Sequence, residues 1–171
     1  SGPKRGRAIV NLDDAASSFI LGLNRGESLT YGIANDQADI VARDIQMDLN
    51  GLAFTARTPK GDFEIRLRHL GEYSVYNALA ALAVGYSLDL SPDQIAAGLA
   101  ATPPVPGRFE LITEGQDFVV AVDYAHKPDA LQRLIESAQK MKPSRVITVF
   151  GCGGVGDAAV AGARLAGATT V

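Results

Sequence analysis

Three prolines and a glycine crowd into Thr102-Pro103-Pro104-Val105-Pro106-Gly107, and no helix or central strand can run through them. Each proline fixes φ near about −65°, removes a backbone donor and pushes the residue before it toward an extended conformation. The segment is therefore stiff and extended, and it predicts a boundary between residues 1–107 and residues 108–171. The hydrophobic patterns on its two sides differ in kind.

On the N-terminal side, Arg7–Leu12 reads as a short buried strand. The Asp13-Asp14 pair after it reads as a helix N-cap, with paired carboxylates for metal or acid–base work as the alternative. Phe19, Ile20 and Leu23 follow at helical spacing. Ser28–Ile33 and Asp39–Leu49 alternate with the two-residue period of strands, and Asn50-Gly51 is a strong hairpin signal answered by Leu52–Arg57. After the turn at Pro59–Asp62, Phe63, Ile65 and Leu67 alternate with Glu64, Arg66 and Arg68. These segments are expected to form antiparallel β-ribbons with one wet face, which accounts for the arginines without invoking nucleic acid. Tyr73–Leu88 predicts a helix rich in small residues, and Ser91-Pro92-Asp93 opens another with a cap, a proline and an early acidic residue.

Beyond the prolines, Phe109–Thr113 and Phe118–Val122 read as strands, Asp129–Lys140 as a helix and Val146–Phe150 as a strand. Gly151–Gly156 then reads as a glycine-rich turn and Asp157–Ala166 as a helix. That order predicts crossover helices over a parallel sheet. The expected class is α/β.

Composition excludes several functions. Sixteen Lys and Arg against nineteen Asp and Glu leave a formal charge of −3, without the basic footprint of a nucleic-acid binder. No apolar run is long enough for a membrane span and no secretory signal opens the chain, so a soluble, cytoplasmic protein is expected. One cysteine, Cys152, rules out an intrachain disulfide framework and a Cys-rich zinc site. It is either a small turn residue or a reactive thiol at a helix start.

Three clusters carry chemistry-bearing side chains. Arg108 follows the rigid Pro-Gly step, where a guanidinium can meet a phosphate bidentately or merely ride on a linker. Asp123, Tyr124 and His126 cluster at the C-terminal end of a predicted strand, the edge at which open α/β sheets gather ligands. There Asp can accept from ribose hydroxyls and the rings can stack on a base, or His126 is structural. Asn77, early in an Ala-rich helix, can reach an adenine edge or simply face solvent.

Taken in order, RAIVNLDD (7–14), LTYGI (29–33), YSVYNALAALAVG (73–85), VPGRFE (105–110), VVAVDYAHKPDAL (119–131) and VITVFGCGG (146–154) resemble the Mur ligase family. The resemblance runs over roughly residues 5–154. It implies part of a Mur ligase central domain with antiparallel β-ribbons (1–107), followed by the start of a Rossmann-like C-terminal domain (108–171). It implies an ATP-dependent amide-bond-forming ligase of peptidoglycan-precursor synthesis. In such ligases ATP with Mg2+ phosphorylates a carboxylate of a UDP-sugar peptide, and an amino acid, here diaminopimelate or lysine, displaces the phosphate. Carried onto this chain, Asn77 would lie at the adenine, Arg108 at the ATP phosphates and Asp123 at the ribose. Tyr124 and His126 would lie beside the nucleotide.

The family's phosphate-binding loop, G-x-x-x-x-G-K-[ST], does not occur in these 171 residues. The chain is accordingly expected to begin inside the central domain and to be inactive alone. Two further departures are Ser74, where the family usually has Asn, and Lys127, where it usually has Thr. Past Gly154 the sequence resembles the dinucleotide-binding turn of zinc-type alcohol dehydrogenases. There Gly151, Gly153 and Gly156 give G-x-G-x-x-G between a predicted strand and helix, and a junction near Gly154 is expected. The competing functions are an NAD(P)-binding module and a non-catalytic remnant.

Overall fold

In the computed structural model, residues 6–150 are described. The chain divides into two compact units, Ser1–Pro103 and Pro104–Val171. Within the first, a five-stranded sheet has the order β1-β2-β3-β4-β5, formed by β1 (Ala8–Asn11), β2 (Ser28–Gly32), β3 (Ile40–Asp48), β4 (Gly51–Thr58) and β5 (Gly61–Leu67). Helix α1 (Ser17–Leu23) connects β1 to β2. The helices α2 (Glu72–Ser87) and α3 (Pro92–Ala101) follow the last strand.

The sheet is mixed. β1 pairs with β2 and β2 with β3 in parallel, whereas β3–β4 and β4–β5 are antiparallel. The antiparallel ribbons expected from the sequence are therefore present from β3 onward. The strand at residues 28–32 instead joins both neighbours in parallel: α1 returns the chain to the sheet as the crossover from β1 to β2, and residues 33–39 carry it from β2 to β3. β3 changes partner type along one strand, and Asp44 and Ile45 together oppose Phe54 in a bulge between Arg43 and Gln46. Asp44 has φ +52° there.

The main core cluster lies on one face. Leu29, Ile40, Ala42, Leu52, Phe54, Ala56, Ile65 and Leu67 pack against Val75, Ala78, Leu79, Leu82 and Ala83 of α2 and Ile95 of α3. β4 alternates strictly, with Leu52, Phe54, Ala56 and Thr58 buried. On β5, Glu64 and Arg66 stay exposed and pair at 2.7 Å. The small residues of α2 serve close approach: a Cβ on Gly85 would stand 2.9 Å from the Ile95 side chain. Ser91 caps α3 in a reciprocal box, its hydroxyl accepting from the Gln94 N–H while the Gln94 side chain accepts from the Ser91 N–H.

Asp13 does not cap α1. The helix begins at Ser17 with Ala16 as its uncapped N-terminal flank, and the Asp14 side chain accepts from the Ala16 N–H. The Asp13 carboxylate reaches across to the chain leaving β2 instead. That segment's amides are orphaned where the ladder ends, and satisfying them gains more than capping a seven-residue helix.

In the second unit, β6 (Glu110–Ile112) and β7 (Val120–Val122) form an antiparallel pair, followed by α4 (Pro128–Lys140). Leu131 and Ile135 of α4 are buried, with Leu134 and Phe150 packed against them. The parallel sheet expected over residues 109–150 is not observed among the described residues, and residues 146–150 carry no strand. Val149 is 91% exposed. An apolar run becomes a parallel strand only with ladder partners, and among the described residues none pairs with this one. The glycine-rich turn, Cys152, the expected junction near Gly154 and the helix expected at 157–166 lie outside the described residues.

Candidate functional site

The open end of the β6–β7 pair organises the candidate site. Glu110 stands opposite Val122 in the ladder, so the segments entering β6 and leaving β7 emerge side by side. Asp123 follows β7 directly and uses both carboxylate oxygens. Oδ2 accepts the Phe109 N–H at 2.8 Å, and Oδ1 accepts the Ala125 N–H at 2.7 Å.

Arg108 sits between two residues of left-handed backbone, Gly107 (φ +70°) and Phe109 (φ +44°). A Phe in that region is strained. Its side chain compensates by burial, with 4% exposure. The three successive amides are all satisfied: Gly107 donates to Glu110 Oε2 at 2.7 Å, Arg108 to the Val105 carbonyl at 3.0 Å, and Phe109 to Asp123. The Arg108 side chain itself is exposed.

Its guanidinium lies over the Tyr124 ring, 5.3 Å from the centroid, within reach of the ring quadrupole. His126 meets the same ring edge-on, with centroids 4.9 Å apart, and its Nδ1 lies 3.0 Å from the Tyr124 carbonyl oxygen. Tyr124 is 65% exposed. Arg108, Asp123, Tyr124 and His126 thus form one cluster, with a cation, two aromatic rings and a carboxylate on a single rim. Such a set fits a phosphorylated, ring-bearing ligand. Among the described residues no three His, Cys, Asp or Glu side chains group to hold a metal ion.

Asn77 belongs to the first unit, exposed in the second turn of α2. Its neighbour Tyr76 donates its hydroxyl to Asp13 Oδ2 at 2.9 Å. Asp13 also accepts the N–H groups of Ile33 (2.6 Å), Ala34 (3.1 Å) and Asn35 (2.8 Å). Burial alone would raise the Asp13 carboxyl, but the Ile33 and Ala34 amides, the Tyr76 hydroxyl and the Asn35 amide outweigh it and hold the group below the usual carboxylate range. Nearby, Ser74 is buried and donates its hydroxyl to the Leu70 carbonyl at 2.7 Å, tying the start of α2 to the chain before it.

Lys127 is the N-cap of α4 and makes no side-chain cap hydrogen bond. Glu110 was not singled out by its sequence pattern. Its spacing from Gly107 is the one available signal, since an acidic side chain three residues after a glycine can reach back to that glycine's N–H.

Residues 1–85 match the Mur ligase middle domain, and residues 107–171 match the Mur ligase glutamate ligase domain. The chain belongs to the Mur ligase family. The second match continues past Gly154, so residues 155–171 fall within the same domain description as those before them. A UDP-N-acetylmuramoyl-L-alanyl-D-glutamate–2,6-diaminopimelate ligase from Solibacter usitatus (strain Ellin6076) is 45% identical over 152 residues, covering 89% of this chain and 31% of the relative. This Mur ligase chain therefore spans about a third of the length of that relative. A solved structure of a UDP-N-acetylmuramoyl-L-alanyl-D-glutamate–2,6-diaminopimelate ligase superposes with a TM-score of 0.69 at 28% identity, covering 86% of this chain and 31% of that one. An FPGS–AMPPCP–folate complex gives 0.71 at 26% identity, covering 95% and 41%. No helix among the described residues is long and apolar enough to cross a membrane.

Proposed function

We propose that Asn77 in the first unit, and Arg108 and Asp123 in the second, are each nucleotide contacts of an ATP-dependent amide-bond-forming ligase. The whole enzyme would add diaminopimelate to UDP-N-acetylmuramoyl-L-alanyl-D-glutamate in peptidoglycan-precursor synthesis, in the cytoplasm. The relative from Solibacter usitatus bears that name, and it favours diaminopimelate over lysine as the amine. The observation that carries the reading is the clustering of Arg108, Asp123, Tyr124 and His126 at one end of β6–β7.

ATP with Mg2+ supplies the phosphoryl group that activates the substrate carboxylate. Arg108 presents five donors in a fixed fork and binds a phosphate oxygen pair. Tyr124 and His126 offer ring faces and edges for a base or sugar. Asp123 has each oxygen engaged by one amide, and the remaining lone pairs can accept from ribose hydroxyls. Asn77 can pair with an adenine edge through its amide. The phosphate-cradling G-x-x-x-x-G-K-[ST] loop is not among these residues, so the contribution of this stretch is to bind and orient.

A thermal melt of the purified chain with and without millimolar Mg-ATP, with NAD as the control, tests the reading. A native-state ligand present at a hundred times its dissociation constant adds about 2.7 kcal/mol, several degrees for units of this size. Stabilisation by ATP and not by NAD is expected. Indifference to both, or equal shifts, would overturn the proposal.

A further inference from the structure

We propose that Glu110 is a positioning residue for Arg108, clamping the Gly107–Phe109 loop so that the guanidinium is aimed before any ligand arrives. The inference rests on the reading of Arg108 as a phosphate contact. Three amides in a row have assigned acceptors, and two of those acceptors are carboxylates from the two strands at one end of the ladder. Glu110 Oε2 takes Gly107, and Asp123 Oδ2 takes Phe109. The loop between them carries two left-handed residues around Arg108, a shape that an unrestrained chain leaves readily.

Glu110 is fixed at both levels. Its backbone is registered opposite Val122, one residue before Asp123, and its half-buried carboxylate turns back on the chain at 2.7 Å. It holds backbone rather than the guanidinium, whose face lies over the Tyr124 ring. Arg108 is thereby left able to give its donors to an anion. Charge-assisted bonds of this length are roughly twice as strong as neutral ones, and a loop held in its bound shape pays less ordering entropy on binding.

Two measurements on the purified chain test this. In the first, without nucleotide, amide exchange at Gly107 and Phe109 is followed by NMR in the wild type, Glu110→Ala and Glu110→Gln. Removing one net hydrogen bond should speed Gly107 exchange about tenfold in Glu110→Ala. Glu110→Gln, whose Oε1 still accepts, should stay near wild type, and Phe109 should change less. An unchanged Gly107 rate in Glu110→Ala overturns the clamp.

In the second, affinities for ATP and for adenosine are compared in Arg108→Ala, Glu110→Ala and the double variant. Glu110→Ala should lower ATP affinity about tenfold with little change for adenosine, and the double variant should lose no more than Arg108→Ala alone. Additive losses would show that Glu110 does not act through Arg108. If the wild type binds ATP no better than adenosine, the phosphate reading of Arg108 fails while amide exchange still decides the clamp. Should Glu110→Ala fail to fold, Glu110→Asp, one methylene shorter, takes its place in both measurements with the same expectations.

Discussion

The carboxylate of Asp13 and the hydroxyl of Tyr76 meet at 2.9 Å across 63 positions of sequence. Through this bond and the amides of Ile33, Ala34 and Asn35, one side chain ties the end of β1 to the end of β2 and to the second turn of α2. Asp13→Ala should destabilise the first unit by about 2–3 kcal/mol, because it strands several partly buried donors at once. Tyr76→Phe should cost about 1 kcal/mol. Urea melts of both single variants and the pair should return a non-zero coupling. Strict additivity would show that the contact contributes nothing.

The same carboxylate sets an acid limb. Its proton affinity is lower folded than unfolded, so below the ordinary carboxylate pKa of about 3.9 the unfolded chain takes up the proton first. The Asp13 contribution is complete above that pH and is lost as pH falls through the folded value. Asp13→Asn should flatten the fall in stability below about pH 4. Melting temperatures of the two proteins between pH 2 and 6 check it, and parallel curves would refute it.

Two hairpin glycines should respond differently to alanine. A Cβ on Gly51 (φ +143°) would run into the Leu67 carbonyl, whereas one on Gly61 (φ +113°) meets nothing within 4 Å. Gly61→Ala therefore carries backbone strain alone, about 1 kcal/mol, and Gly51→Ala at least about 2 kcal/mol. Chemical denaturation of each variant gives the ranking.

The helix starts offer a loss and a gain. Ser91→Ala dismantles the capping box of α3 and should cost about 1 kcal/mol. Lys127→Thr puts an acceptor at the uncapped start of α4 and removes a cation from the positive end of the dipole, so it should stabilise by about 0.5–1 kcal/mol. Shifts of opposite sign in the thermal melt are expected.

At the rim, Arg108→Lys should weaken ATP binding about tenfold, since an ammonium lacks the planar fork and stacks less well on Tyr124. Calorimetric titration of both proteins measures it, and equal affinities would remove the phosphate contact from Arg108.

Much of the fold was legible because its signals are local. Asn50-Gly51 sits beside its own strands, Ser91 is three residues from the amide it caps, and β4 writes its buried face in alternate letters. Asp13 reads as a cap in the sequence because its four donors lie 20 to 63 positions away, and nothing next to it distinguishes a cap from a staple. The parallel pairing of β1, β2 and β3 is hidden for the same reason, since strand direction is set by the paths of α1 and of residues 33–39. Val146–Phe150 looked like a strand because apolar β-branched residues favour one, but a ladder requires partners that composition cannot provide. At the rim, the residue types of Arg108, Asp123, Tyr124 and His126 were readable, whereas the backbone hydrogen bonds of Asp123 and Glu110 depend on the register of β6 with β7.

The bulge on β3 acts as a parity switch. Ala42 and Met47 are an odd number of positions apart, yet they stand opposite Ala56 and Leu52, two buried residues on the same face of β4. The doubled residue opposite Phe54 makes this possible. Adding one residue to each side of the Asp48–Gly51 tip would lengthen the ribbon and leave this phase intact. Ironing out the bulge, so that Asp44 and Ile45 pair with successive residues of β4, would send Met47 to the water side and take its sulfur from the Gly71 N–H, 3.2 Å away. A one-residue slip at the far end of a hairpin would thus be felt where α2 begins, one turn and a half before Asn77.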